Sequence, residues 1–529
     1  QDLKRLTLLL LYGLADSPYR ALTGHVAPAA APADPSRLAV RTPTPGETLE
    51  ADAVVIGSGA GGSVVAASLA AAGRRVLVLE RAAHVSEERF GGGELEGLAA
   101  LFLDRGFAAT ADRGIAIRAG SAVGGGTVVN WNTSLRAPAA VREEWRAAGI
   151  DDDLDPEYDA VERALGVTTA ESHRNGPNRV LERGLEALGL PVTTIPRNVA
   201  GCGDCGPCAV GCRTGAKRSA LRTWLADACR DGATILDRTE ARRILVEGGR
   251  AAGVVATVPG GEVTIRARTV ALAGGSILSP ALLLRSGIAT GTAGRTLHLH
   301  PVTAIAGVYD EPLDPWSGVP QSVLSEAFAE VDGRWGFRVE TAPTHPGLIA
   351  SGVTWASAEG HRRSMAESSR TAAFLAIVRD RSTGIVGLDR SGSVRVSYWP
   401  GAAEQALMRR AMVELARIHR AAGAVRQEAL ATPGVRHDPG GDFDAFLRRL
   451  SRIEVRPNRL LLFTAHQMSS CRIGRDPGRS VAGPDGEVHG VRGLWVADAS
   501  AFPTASGVNP MLSVMALARR TAGRILAAD

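Results

Sequence analysis

Between residues 53 and 80 the chain carries a segment that restricts its fold to a doubly wound α/β unit. Ala53-Val54-Val55-Ile56 is a short apolar run ending in glycine, the texture of a strand buried on both faces. Gly57-Ser58-Gly59-Ala60-Gly61-Gly62 follows and fits G-x-G-x-x-G. The pattern predicts a helix from Val64 to Ala72, closed by Gly73, then a strand from Arg75 to Leu79. A β-α-β unit of about 30 residues implies parallel strands and a right-handed crossover. Gly57 permits the tight turn, Gly59 lets a pyrophosphate approach the backbone, and Gly62 lets helix pack on strand. The helix N-terminus then faces the phosphates. Glu80 closes the second strand, where an acid binds ribose hydroxyls and disfavours a 2′-phosphate. A glycine turn alone is a weak signal; strand, helix, strand and acid in register are a strong one. The fingerprint does not separate FAD from NAD.

At 529 residues the chain suggests two or three structural units and a large core. With 45% hydrophobic and 22% charged residues it is neither disordered nor a multi-span membrane protein. The net charge of +5 is small for this length, and Lys4 and Lys217 are the only lysines. No basic block is interleaved with aromatics, so no nucleic-acid partner is expected. Leu6 to Ala15 is a largely apolar run after Lys4 and Arg5, short enough for a signal-peptide core. We read it as an ordered helical arm of a cytoplasmic protein, with contact to a membrane surface as the open alternative.

Residues 24–50 read as a linker, Pro/Ala-rich from Ala27 to Pro35. Helices are expected around a cysteine run within 176–240. Ile235, Ala241 to Val246, Ala252 to Val258 and Val263 to Val270 read as successive strands. From about 300 to 400 strands alternate with turns, including a hairpin over Val386 to Val394, and Ala402 to Ala421 reads as a long helix. The final segment returns to strand-then-helix texture. The expected fold class is therefore α/β: a Rossmann-like dinucleotide-binding domain with an inserted α+β domain built on an antiparallel sheet. Expected boundaries are 1–50 for arm and linker, 51–300 for the first part of the Rossmann-like domain, 301–455 for the insert, and 456–529 for the C-terminal part.

A second glycine-rich loop runs Gly120-Ser121-Ala122-Val123-Gly124-Gly125-Gly126-Thr127-Val128-Val129-Asn130-Trp131. Its adjacent glycines let backbone lie against a flat ring or a phosphate, and a surface turn rarely carries Val128 and Val129 behind them. Gly274 to Pro280 follows the expected strand Thr269 to Leu272 and opens a helix ending near Gly287. With Gly493-Leu494-Trp495-Val496-Ala497-Asp498-Ala499-Ser500 and Gly507-Val508-Asn509-Pro510, these segments resemble the glucose-methanol-choline (GMC) flavoprotein oxidoreductases, from about residue 51 to 529. Asn130-Trp131, Leu297 to Pro301 and Ala465 to Arg472 most resemble the long-chain fatty alcohol oxidase branch. The resemblance implies that the Rossmann-like domain binds FAD and that the insert binds substrate. It assigns the cofactor contacts to Gly57, Gly59, Gly62, Glu80, Gly120, Ser121, Gly125, Asn130, Asp498, Ala499, Asn509, Pro510 and Met511.

Oxidising an alcohol through a flavin requires a group that removes the hydroxyl proton while hydride leaves carbon. The resemblance implies His466 as this base and Asn509 as donor to the substrate oxygen. His298 and His300 also match family positions, and structural roles are expected for them. Pro510 is a favourable first helical residue. A helix from Met511 to Ile525 would turn its positive end toward the pyrimidine side of a reduced flavin.

Cys202, Cys205, Cys208 and Cys212 have the spacing of a bacterial ferredoxin, with Arg213 where proline is usual and no second run. An iron–sulfur cluster, zinc in a four-cysteine site, and free thiols or local disulfides are all open. The expected function is FAD-dependent oxidation of an apolar, long-chain primary alcohol to the aldehyde, with O2 as acceptor. A dehydrogenase passing electrons through an iron–sulfur cluster to another acceptor is the alternative. A lyase or decarboxylase on the same fold ranks below it, and a non-catalytic electron-transfer protein last. Leu348 to Ala356 and Ala372 to Val378 are apolar enough for a greasy pocket or a plain core.

Overall fold

The structure, a computed structural model, describes residues 2–26 and 34–528. The dinucleotide unit forms as its spacing predicts: strand Ala53–Ile56, helix Ala60–Ala71 and strand Val76–Leu79. These strands lie inside a six-stranded parallel sheet in the order Val40–Arg41, Thr234–Leu236, Val76–Leu79, Ala53–Ile56, Thr269–Leu272, Leu494–Val496. The chain thus completes near its C-terminus a sheet begun near residue 40. Helix Met511–Ala528 packs against helix Ala60–Ala71, sealing one face of that sheet.

A second sheet is an antiparallel meander of Glu240–Glu247, Arg250–Val258 and Gly261–Arg266, extended by Thr48–Glu50. The single strand expected over Val263 to Val270 is divided. Gly261–Arg266 belongs to the meander and Thr269–Leu272 to the parallel sheet. Apolar runs on both sides hide the switch in the sequence.

The third sheet follows the path Val435–His437, Arg426–Ala429, Val302–Val308, Thr371–Val378, Phe337–Ala342, Val323–Ser325, Thr193–Thr194. Leu462–Thr464 pairs with Val302–Val308 and, in parallel, with Ile115–Ile117. Its core also takes in Ile115, Ile117, Val180 and Leu181, so it draws on chain outside 301–455. Side chains alternate across this sheet, as the two-residue period of a strand requires. Ile305, Phe374 and Ala376 pack into the core that also holds Met408, Met412 and Leu415 of helix Ala402–Ala421. Val302, Ala304, Leu375 and Ile377 face the opposite way and line a cavity.

The hairpin Ile385–Leu388/Val394–Ser397 and helix Ala402–Ala421 lie where the sequence puts them. The arm forms a helix over Asp2–Gly13, ending at the flexible Gly13 rather than at Ala15. Its Leu8 and Tyr12 are buried with Ile349, Ala350 and Met365. Residues 27–33 of the expected linker lie outside the described residues. Among the described residues no helix is long and apolar enough to cross a membrane.

Candidate active site

A cavity of about 1170 Å³ runs from the dinucleotide turn to the inner face of the third sheet. At the first end the backbone decides the shape. A Cβ on Gly61 would sit 1.8 Å from the Ala497 carbonyl oxygen. One on Gly125 would sit 2.7 Å from the Gly59 Cα, so the two glycine loops touch backbone to backbone. Gly61 occupies a variable place in the motif, which is why the sequence pattern does not single it out. Gly62, buried at the start of helix Ala60–Ala71, is absent from the cavity wall.

Glu80 is buried beside this turn. Its Oε2 accepts from Ser58 Oγ at 2.6 Å and Ser58 N–H at 3.3 Å, and its Oε1 accepts from Ala82 N–H at 3.0 Å. Burial pushes its pKa up against those bonds. A carboxylate offers about four lone-pair sites, so one is free for a ribose hydroxyl. Ser58 Oγ also accepts from Gly124 N–H at 3.0 Å, linking the two loops. Asp498 Oδ2 accepts from Gly275 N–H at 2.8 Å and Ser279 Oγ at 2.6 Å, while Oδ1 accepts from Ser500 N–H at 2.8 Å. Asp498 therefore ties the last strand of the parallel sheet to the turn after Thr269–Leu272.

Gly57, Gly59, Glu80, Gly120, Ser121, Gly125, Asn130, Asp498, Ala499, Asn509, Pro510, Met511 and His466 all line this one cavity. The sequence spreads them over more than 450 positions. Seven of its wall residues carry a polar atom buried without a partner among the described residues, and these include Asn130 Oδ1, Gln467 Nε2 and Asn509 Oδ1. Buried polar atoms normally find partners. A side-chain-free phosphate cradle, an acid with one acceptor site to spare and three orphaned polar atoms further along fit a flavin dinucleotide.

At the other end buried side chains decide the geometry. His466 Nδ1 lies 3.2 Å from His300 Nδ1, and His300 Nε2 accepts from Gly507 N–H at 3.1 Å. Burial holds His466 down at about 4, against the pull of Asp380, and His300 well below its ordinary value. Both rings are therefore neutral at pH 7, and their protons can be placed from the hydrogen-bond chain. Gly507 can only donate, so His300 carries its proton on Nδ1 and gives it to His466 Nδ1. His466 then holds its own proton on Nε2. Asp380, fully buried, accepts from Leu299 N–H at 2.9 Å, His300 N–H at 3.2 Å and Tyr398 OH at 2.9 Å. Burial alone would raise its carboxyl, but the nearby His298 and these donors hold it at about 2. Asp380 thus fixes the segment that presents His300.

Asn509 lies beside Glu340, whose Oε1 is buried without a hydrogen-bond partner among the described residues. Glu340 accepts from Gln321 Nε2 at 2.6 Å. Burial pushes its carboxyl up to about 7, against Asn509, Arg338 and Gln321. Neither Glu340 nor Asp380 emerges from motif reading. The one local signal is that Glu340 interrupts a strand, Phe337–Ala342, buried at every position.

The four cysteines share one loop, and among the described residues none of them is joined in a disulfide. Burial and then the neighbouring cysteines push the Cys205 thiol up to about 12. Among the described residues no three His, Cys, Asp or Glu side chains converge as a metal ion requires. The iron–sulfur reading gains no support from this loop. What the loop does hold is Lys217, buried, donating from Nζ to the carbonyls of Val128, Asn130 and Cys208 at 2.7, 2.7 and 2.8 Å. It clamps the cysteine loop under the second glycine loop, a role the sequence does not signal.

Two family models, both described as GMC oxidoreductase, match residues 51–302 and 380–518. A long-chain-alcohol oxidase of Arabidopsis thaliana is 34% identical over 495 residues, covering 89% of this chain and 68% of its own. An uncharacterized GMC-type oxidoreductase of Mycobacterium tuberculosis is 37% identical over 494 residues, covering 90% and 76%. Among solved structures, pyridoxine 4-oxidase from Mesorbium loti superposes with a TM-score of 0.68 at 20% identity, over 89% of this chain and 98% of that one. That last likeness concerns the fold alone.

Proposed function

We propose that this chain, which belongs to the GMC oxidoreductase family and is an FAD-dependent oxidoreductase acting on CH–OH donors, oxidises an apolar, long-chain primary alcohol to the aldehyde and passes the electrons to O2. The observation that carries the substrate class is the floor of the cavity. Alternate residues of two paired strands, Val302–Val308 and Thr371–Val378, form it. It starts at Val302 and Ile377, just beyond His300, and ends at Val308 and Thr371 beside Arg426. A strand of that length gives roughly 20 Å of continuous apolar surface. Leu430 and Phe463 extend it sideways. Relatives named as long-chain-alcohol oxidases support the same class and acceptor.

FAD bound here supplies the hydride acceptor. The residues that the resemblance assigns would hold it, Glu80 by a ribose hydroxyl and the Asn130 and Asn509 side chains by polar groups of the ring. His466 and Asn509 hold the substrate oxygen between them. In the tautomer set by His300 and Gly507, His466 carries its proton on Nε2 and would donate it to that oxygen. To take the hydroxyl proton the histidine pair must reverse. In the reversed pair His466 carries its one proton on Nδ1 and donates it to His300 Nδ1, and His300 carries its one proton on Nε2. The proton leaving His466 Nε2 and the proton arriving at His300 Nε2 exchange with solvent, so the proton count of the pair is unchanged. His466 is in this reading the acid–base residue, and His300 with Gly507 decides which of its nitrogens is free.

Anaerobic reduction of the bound flavin by straight-chain alcohols tests the proposal. Each buried methylene contributes about 0.8 kcal/mol, so specificity climbs about fourfold per carbon until the floor ends. A flat profile from ethanol to dodecanol, or a preference for sugars, sinks the substrate reading. Turnover in air without hydrogen peroxide sinks the acceptor.

A further inference from the structure

We infer that the outer face of the arm helix, Asp2–Gly13, docks this protein on the surface of a lipid bilayer containing anionic lipid, at the point where the cavity opens. The helix is apolar on two sides. Its inner side buries Leu8, Leu9 and Tyr12 against the protein. Its outer side carries Leu3, Leu6 and Leu10, and Leu14 just past its end continues the line at the three- and four-residue spacing of one stripe. These four are 77%, 38%, 44% and 43% exposed. A soluble surface scatters such residues singly. Here they are concentrated: of the thirteen large apolar side chains left exposed among the described residues, seven lie between Leu3 and Val26.

The surroundings point to lipid as the occupant. Residues 2 to 20 carry Lys4, Arg5 and Arg20 against Asp2 and Asp16, a small positive excess with Lys4 and Arg5 set inside the leucine stripe, which suits an anionic surface. Lys4 Nζ lies 5.2 Å from the centre of the half-exposed Trp355 ring, and Tyr19 is exposed beyond the helix end. Aromatic and basic residues flanking a leucine face are the arrangement of a helix lying in the interface plane. The stripe also meets the cavity. Leu6 and Phe107 are both exposed and part of the cavity wall, so the cavity reaches the surface beside the leucines. An apolar alcohol dissolved in the bilayer can pass from lipid to floor without crossing water. That last step rests on the substrate reading above; the docking does not.

The test uses the full chain, FAD-loaded, and vesicles of phosphatidylcholine and phosphatidylglycerol in a 3:1 ratio (about that of a moderately anionic surface). The comparison is with Leu3→Glu/Leu10→Glu, whose side chains lie outside the cavity wall. The wild type should sediment with the vesicles, and the double variant should bind at least about tenfold more weakly. Both should oxidise a water-dissolved alcohol equally, while the variant loses about tenfold on alcohol supplied within vesicles. Wild type left in the supernatant, or a variant that sediments equally well, overturns the proposal. So does a wild-type dimer in solution that the two glutamates separate, because a second copy then covers the face. Leucine-dependent vesicle binding without any alcohol oxidation keeps the docking and removes the substrate reading. Oxidation in solution without vesicle binding does the reverse.

Discussion

The two ends of the cavity are built by opposite means. At the dinucleotide end the chain makes room by omitting side chains, and backbone meets backbone at Gly59, Gly61 and Gly125. At the catalytic end it does the reverse, burying Asp380, His300 and Glu340 with no exposed surface or nearly none. The first end tolerates no added atom at Gly61 or Gly125. The second tolerates changes of size but not of proton count, because its neutral histidines and its carboxyls lean on one another. Binding and chemistry should therefore fail separately.

The largest effect is expected at Gly61→Val. The clash is with the Ala497 backbone, which cannot rotate away, so the cost exceeds about 3 kcal/mol. Soluble expression and flavin released on denaturation report it; a folded, FAD-loaded variant would break the contrast at its first end. Next comes His466→Ala, expected to slow flavin reduction by about 10²–10⁴-fold with FAD retained. Stopped-flow bleaching measures the rate and the resting spectrum the cofactor. Loss of FAD together with rate would show that the ends are not separable.

Glu340→Gln should act through proton count. The wild-type carboxyl is raised to about 7 from an unfolded value of 4.5, so its stabilisation is complete below 4.5 and is lost as pH rises through 7. The variant should thus match wild type at pH 5 and exceed it by about 1–3 kcal/mol at pH 8.5 in urea denaturation. A pH-independent difference would mean that Glu340 matters only for packing. The smallest effect is expected from Cys205→Ser, below about 1 kcal/mol and without change in the flavin spectrum. Iron in the purified wild type, lost in that variant, would make the cysteine loop a third constructional device.

Those two modes of construction also explain what could be read beforehand. The dinucleotide end is legible because one residue type, glycine, answers one backbone need within six positions. The strand–helix–strand register and Glu80 then follow locally. Gly61 escapes because the motif leaves its place free. Glu340, Gln321 and Asn509 come together across 188 positions and two strands, and no local spacing announces them. Asp380 gains its meaning only when the sheet brings it under Leu299 and His300. The cysteine spacing is the converse: conspicuous in sequence, while the loop's firmest anchor is Lys217. The third sheet recruits Ile115–Ile117 because Leu462–Thr464 needs a partner on its far edge, a pairing no contiguous insert could foretell.

The scarcity of lysine gives the molecule a chemical handle. Lys217 has its amine enclosed by three carbonyl oxygens, so acylating reagents cannot reach it. Lys4 is exposed on the arm helix. A single amine-reactive fluorophore, added under mild conditions, will therefore mark the side chain of Lys4 and no other lysine of this chain, and will report polarity at the arm without any cysteine being introduced or removed.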